Sequence, residues 1–197
     1  MRQARRKLRV ERMAALTDGL VAIIITIMVL DLPLPKTPTL AGVAPLAPVC
    51  AAYVLSYVNI GLFWNNHHHM LALAEQVNGQ VLWANLALLF FLSLMPFVIR
   101  WIGYSGLAVL PVVAYGAVLA AAALSYRLLE FALIDCNGGG DGAMAQALGR
   151  DTKGLISLIL YVLACALAFA QPLVAIFIYV AIAGWWLVPD RRVEKAL

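Results

Sequence analysis

One uncharged stretch of the chain places a hydroxyl between alkyl groups at helical spacing. Gly19, Ile23, Thr26 and Leu30 follow each other at intervals of four, three and four residues. At about 100° per residue they fall within roughly 60° of one another, so they share a helix face. Thr26 is the only polar side chain between Gly19 and Leu30. If several copies of this face met around an axis, they would form a ring of hydroxyls between two apolar rings. Such a passage can replace part of an ion's hydration shell and can close by dewetting. The competing reading is plain packing, with the Thr26 hydroxyl bonded back to a carbonyl one turn earlier.

Other candidates carry less. His67, His68 and His69 are consecutive, and consecutive helical residues point about 100° apart, so one chain cannot converge them on a metal ion. No metal or other cofactor is expected. Cys50, Cys136 and Cys165 show neither a pairing framework nor ligand spacing. The segment Asn137-Gly-Gly-Gly-Asp-Gly142 lacks the Gly-Lys-Ser/Thr ending of a phosphate cradle and reads as a flexible linker. No intramembrane Asp pair, His-Glu-x-x-His helix or Ser with a base is present, so the chain is not read as an enzyme. The stretches 19–30, 81–99, 107–125, 155–170 and 172–188 contain no Asp, Glu, His, Lys or Arg. Proton-coupled carriers and pumps usually hold such groups at mid-depth.

The elements that must position these residues are membrane helices. Of the 197 residues, 64% are hydrophobic and 12% charged, and the mean hydropathy is +0.91. A soluble domain is nearer about 45–50% apolar and about 25% charged. This excludes a soluble globule, and with it most nucleic-acid binders, despite a pI near 9.1. A bilayer core of roughly 30 Å needs about 20 apolar helical residues. Six such spans are expected in one domain covering 1–197, at about 13–32, 44–64, 79–101, 107–129, 154–170 and 172–188. The fold class is therefore all-α integral membrane, multi-pass, in an inner (plasma) membrane. With the N-terminus inside, twelve of the 14 Lys and Arg residues fall on the inner side and only Lys36 and Arg100 on the outer. Both termini are thus expected in the cytoplasm.

Three stretches carry a family resemblance. Arg12-Met-Ala-Ala-Leu-Thr17-Asp18-Gly19 precedes an Ile-rich run ending Leu30-Asp31-Leu32-Pro33. Phe63-Trp64-Asn65-Asn66-His67-His68 closes the second span, and Leu82-Trp83-Ala84-Asn85-Leu86 leads to Pro96-Phe97 in the third. Together these resemble the transmembrane protein 175 family of potassium channels, whose signature is Arg, three residues, then Phe-Ser-Asp. Leu16 and Thr17 stand where that signature has Phe and Ser.

The resemblance implies a homotetramer of six-helix subunits with the ion path along the first helix. Ile23 would be the narrow apolar constriction, Thr26 the hydroxyl layer and Leu30 a further apolar layer. This is the face that the spacing selects, with Gly19 at its start. The expected activity is passive permeation of monovalent cations, with K⁺ as the permeant ion. Selectivity would not come from a Thr-Val-Gly-Tyr-Gly carbonyl filter, so the familiar potassium-channel fold is not expected. A secondary carrier for a small solute and a non-transporting membrane scaffold are the rival readings.

Flanking polar residues are expected to hold the first helix in place. Arg12 and Asp18 are six residues apart and cannot face each other on one helix. Arg12, Thr17 and Asp18 are therefore expected to join Trp64, Asn65, His67 and His68 in a polar network at the inner membrane edge. Asp31, beside Lys36, is expected at the outer mouth, where a ring of acids would raise the local cation concentration.

Overall fold

The computed structural model describes residues 2–105, 107–149 and 151–188, with side chains from residue 9 onward. The expected inner cations Arg2, Arg5, Arg6 and Lys7 (as side chains), Arg150, Arg191, Arg192 and Lys195 lie outside the described set. The described elements are helical throughout: α1 (Arg2–Leu30), α2 (Leu40–Val43), α3 (Ala47–Ala72), α4 (Gly79–Ser93), α5 (Met95–Ser105), α6 (Val109–Cys136), α7 (Ala143–Leu148), α8 (Thr152–Ala168) and α9 (Pro172–Leu187), with 3₁₀ turns at Ala44–Leu46 and Gly139–Asp141. Only elements that satisfy their own backbone groups can cross lipid, which is why apolar runs of this length become helices.

Four stretches are long and apolar enough to span a bilayer: Arg9–Leu30, Leu40–Ala72, Gly79–Ser105 and Val109–Cys136. The expected fifth and sixth spans are the shorter apolar helices α8 and α9, of 17 and 16 residues.

Several boundaries differ from expectation, each for a local reason. The second span continues through His67–His69 to Ala72 instead of stopping at Trp64. His67 and Met70 are buried on this extension, so packing carries the helix past the end of its apolar run. The third span is two helices, broken at Leu94. Pro96 has no N–H to give to the carbonyl four residues back. The Leu94 amide accordingly bonds to Phe91 O at 3.1 Å before the α pattern resumes at Val98. The fourth span runs seven residues beyond the expected 129, to Cys136, leaving Arg127 and Glu130 inside the helix instead of at its end.

The Asn137–Gly142 segment is also more ordered than a linker. Asn137 Oδ1 accepts the amides of Glu75 and Gln76 at 2.9 and 3.0 Å, and its Nδ2 donates to Gln76 O. This ties the α3–α4 loop to the end of α6. Gly138 and Gly139 then take φ of 111° and 68°, a region that glycine enters without steric cost.

The packing centres on α6, which lies against α4 on one side and α8 on the other, with α9 packed on α8. α1 packs on α3, α4 and α5. Small residues are part of this packing: Ala122, Ala164, Ala168 and Ala175 are fully buried. In lipid there is little hydrophobic drive between helices, so close backbone approach through small residues supplies the attraction. Arg127 of α6 pairs with Asp151 at 3.0 Å, and Asp151 Oδ1 also caps α8 by accepting the Gly154 amide at 2.8 Å.

Gly116 shows how tight this junction is. A Cβ built there would strike Tyr179 Oη and lie 2.6 Å from Cys165 Sγ. Tyr179 cannot easily give way, because its hydroxyl donates to Val112 O at 3.3 Å. Gly116→Ala is expected to destabilise the fold by about 1–3 kcal/mol, seen as a lowered Tm in detergent. An unchanged Tm would mean that α8 and α9 can move off α6 freely.

Candidate functional site: the free face of the first helix and its anchor

α1 is two-faced. Val10, Met13, Thr17, Val21, Ile24 and Met28 are buried against the rest of the chain. Gly19, Ile23, Thr26 and Leu30 all lie on the opposite, exposed side. Ile23 is 57% exposed and Leu30 82%. A Cβ added at Gly19 would meet nothing within 4 Å. The stripe chosen by spacing is therefore unpartnered within the chain, over more than three helical turns.

Thr26 Oγ1 lies 3.1 Å from Ala22 O and 2.9 Å from Ile23 O. Its proton is donated inward to one of these carbonyls. The lone pairs of the hydroxyl oxygen remain for whatever lies outside the helix, so the exposed face presents an acceptor and no free donor.

The buried side of α1 carries the anchor. His67 Nε2 of α3 lies 2.8 Å from Asn85 Oδ1 of α4. Asn85 Nδ2 donates to Thr17 Oγ1 at 3.2 Å, and Thr17 Oγ1 donates to Met13 O at 3.1 Å. Because Asn85 Oδ1 can only accept, His67 must carry its proton on Nε2. The chain of donors runs His67 to Asn85 to Thr17 to the α1 backbone. All three side chains are 2% exposed or less, and buried polar groups of this kind are costly unless fully paired. One turn away, Trp64 Nε1 donates to Asp18 Oδ1 at 2.7 Å, and His68 stacks on Trp64 with ring centroids 5.7 Å apart.

The structure thus brings together Thr17, Asp18, Trp64, His67 and His68 of the expected set. It does not bring in Arg12 or Asn65, which are exposed and make no hydrogen bond or ion pair with the described residues. Arg12 instead lines, with Arg9, Asn78 and Asn85, a groove of about 570 Å³ between α1 and α4.

Asp31 pairs with Arg100 of α5 at 3.4 Å, and not with Lys36. An acid ring at the outer mouth would therefore be partly neutralised by its own arginines. Among the described residues no group of three His, Cys, Asp or Glu side chains could hold a metal ion.

Asn85, the hub of the anchor, was not expected as a site residue. Its signal was available. It is the one amide in the apolar run 81–99, and a lone amide at that depth must find a partner.

Comparison with known proteins shows the family. A family model described as the endosomal/lysosomal potassium channel TMEM175 matches residues 12–96. A potassium channel of Chryseobacterium sp. (strain P1-3) is 45% identical over 186 residues, covering 94% of this chain and 96% of the relative. The chain belongs to the transmembrane protein 175 family. A potassium channel of Streptomyces collinus is 34% identical over 89 residues, 43% of each chain. The crystal structure of a lysosomal potassium-selective channel TMEM175 homologue from Chamaesiphon minutus shares the fold, with a TM-score of 0.79 at 22% identity, covering 91% of this chain and 97% of that one. The family and these relatives are channels, not enzymes. The stretch matched by the family model, 12–96, contains the whole free face of α1 and every member of its anchor.

Proposed function

We propose that this chain is a passive, potassium-permeable cation channel, assembled as a homotetramer in the inner membrane with both ends of the sequence in the cytoplasm. Four copies of α1 surround the axis with Gly19, Ile23, Thr26 and Leu30 turned inward. The observation that carries this reading is the two-faced α1. One side is anchored by buried, hydrogen-bonded polar groups, while the other is apolar apart from Thr26, smooth at Gly19 and unpartnered in the chain. A helix that only faced lipid would not need so costly an anchor.

The chemistry follows from the side chains. A ring of Ile23 alkyl groups excludes water when narrow and so acts as a gate or size filter. One turn on, the Thr26 oxygens offer lone pairs to a cation that has shed part of its shell. No charged group lies on the path between Gly19 and Leu30, so the permeant ion is not trapped. Membership of the family, and relatives named as potassium channels, support K⁺ as that ion.

The direct test is planar-bilayer recording of the purified protein under opposed K⁺ and Na⁺. A reversal potential displaced toward the K⁺ equilibrium value is expected, and a silent bilayer would overturn the proposal. Thr26→Val keeps the shape but removes the acceptor oxygens. It is expected to alter the K⁺/Na⁺ permeability ratio without altering assembly, and an unchanged ratio would remove Thr26 from the path. Asp18→Asn weakens the charge-assisted bond to Trp64, by about 1 kcal/mol per protomer. The expected result is a lower tetramer yield on size exclusion. Full yield would show that this contact does not position α1.

A further inference from the structure

The groove of about 570 Å³ between α1 and α4 has two chemically different ends. Thr17 and Asn85 join the two helices by a hydrogen bond, and this pair fixes the level of the other lining residues. Arg9 precedes Thr17 by eight residues and Asn78 precedes Asn85 by seven. Both therefore lie about 10–12 Å from the pair along the helix axes. Arg9 and Arg12 line this end. At the other end Leu16 and Leu86 adjoin the Thr17–Asn85 pair, and Leu82 lies between the two ends. These three leucines are 44–51% exposed.

The charge at the arginine end is uncompensated. Both arginines are exposed, and neither makes a hydrogen bond or ion pair with the described residues. No carboxylate is among the residues that line the groove, and Glu11, between the arginines in sequence, does not line it. Two cations above an apolar trough match an amphiphile with an anionic head. Guanidinium groups fit phosphate oxygens with paired donors, and basic pockets between membrane helices hold anionic lipid head groups. A free phosphate would use only the charged end and leave the leucines uncovered. A zwitterionic lipid would cover the leucines but leave the net charge of the arginines unbalanced.

We propose that this groove binds an anionic phospholipid, with its phosphate at Arg9 and Arg12 and an acyl chain along Leu82, Leu16 and Leu86. The lipid supplies the counter-charge that the chain lacks at this end of α1 and covers apolar surface that the chain leaves open. The inference rests on α1 and α4 lying in a bilayer, for which both are apolar enough. It does not depend on the ion path or on the number of copies.

Native mass spectrometry of the full chain in detergent tests it, with dioleoyl phosphatidylglycerol and dioleoyl phosphatidylcholine added separately. The Kd for the first bound lipid is expected to be lower for phosphatidylglycerol, on the order of tenfold. The double substitution Arg9→Gln with Arg12→Gln is expected to abolish that preference while leaving the fold intact, because both side chains are exposed. Lys36→Gln with Arg100→Gln removes as many cations near the far end of α1, where Arg100 meets Asp31, and is expected to keep the preference. Glycerol 3-phosphate, a head group without chains, is expected not to displace phosphatidylglycerol even in large excess. Equal affinity for the two lipids in the parent protein would overturn the proposal. So would a preference that survives loss of Arg9 and Arg12, or one lost equally in the control pair. Displacement by glycerol 3-phosphate would overturn it in favour of a free-phosphate site. A parent protein without lipid preference, whose oligomeric state shifts on loss of the two arginines, would overturn it in favour of a contact between copies.

Discussion

Ile23→Ala is expected to remove most of the discrimination between K⁺ and Na⁺ while leaving the protomer folded. Isoleucine reaches two C–C bonds, each about 1.5 Å, beyond Cβ. Around the proposed axis that retreat would count on both sides, and a passage wide enough for hydrated ions would no longer select among them. Each tenfold loss in the permeability ratio moves the reversal potential under opposed K⁺ and Na⁺ by about 59 mV, the general value for a one-charge equilibrium. The same change is cheap for folding, because Ile23 is 57% exposed in the protomer and truncation opens no internal cavity. The prediction thus pairs a large effect on permeation with a small one on Tm. A mutant with an unchanged reversal potential would mean that this residue faces lipid and that the ion path lies elsewhere.

Asn85→Leu is expected to have the largest effect on the anchor. Leucine matches asparagine roughly in size but leaves the His67 Nε2–H without an acceptor in a site 2% exposed. It also removes the donor to Thr17, although Thr17 keeps its own bond to Met13 O. An orphaned buried group of this kind costs about 1–3 kcal/mol, and the loss should appear as a reduced Tm. The decisive comparison is the double mutant with His67→Phe. Replacing both partners by apolar groups removes the orphan, so the double mutant is expected to be more stable than the sum of the singles predicts, by at least about 0.5 kcal/mol. Strict additivity would show that the 2.8 Å contact between His67 and Asn85 carries no energy. If the anchor also holds α1 at the axis, channel activity should fall in Asn85→Leu even at temperatures where the protein stays folded.

The chain's composition and periodicity were sufficient for the class and for the face. An apolar fraction of 64% admits no soluble fold, and a period of about 3.6 residues assigns Gly19, Ile23, Thr26 and Leu30 to one side of a helix whatever surrounds it. Pro96 marked a place where the third span had to break, although the break itself was not anticipated. The polar pairings were a different matter. Thr17 and Asn85 are 68 residues apart, Asp18 and Trp64 46, and Asp31 and Arg100 69. Periodicity names the direction in which a side chain points but not the helix that will stand there. Arg12 and Asp31 illustrate the difference. Arg12 was expected in the network with Thr17 and Asp18 yet lines a groove, and Asp31, expected at the outer mouth, meets an arginine from α5.

What the residues determine by themselves, then, is local: which segments must be helices in lipid, and which side of each is apolar, because backbone satisfaction and side-chain period act within a single segment. Which buried amide meets which imidazole, how far α3 and α6 extend beyond their apolar runs, and that the Ile23 face is left open while the Thr17 face is closed were decided only when the helices packed, because those outcomes depend on neighbours brought in from distant parts of the chain.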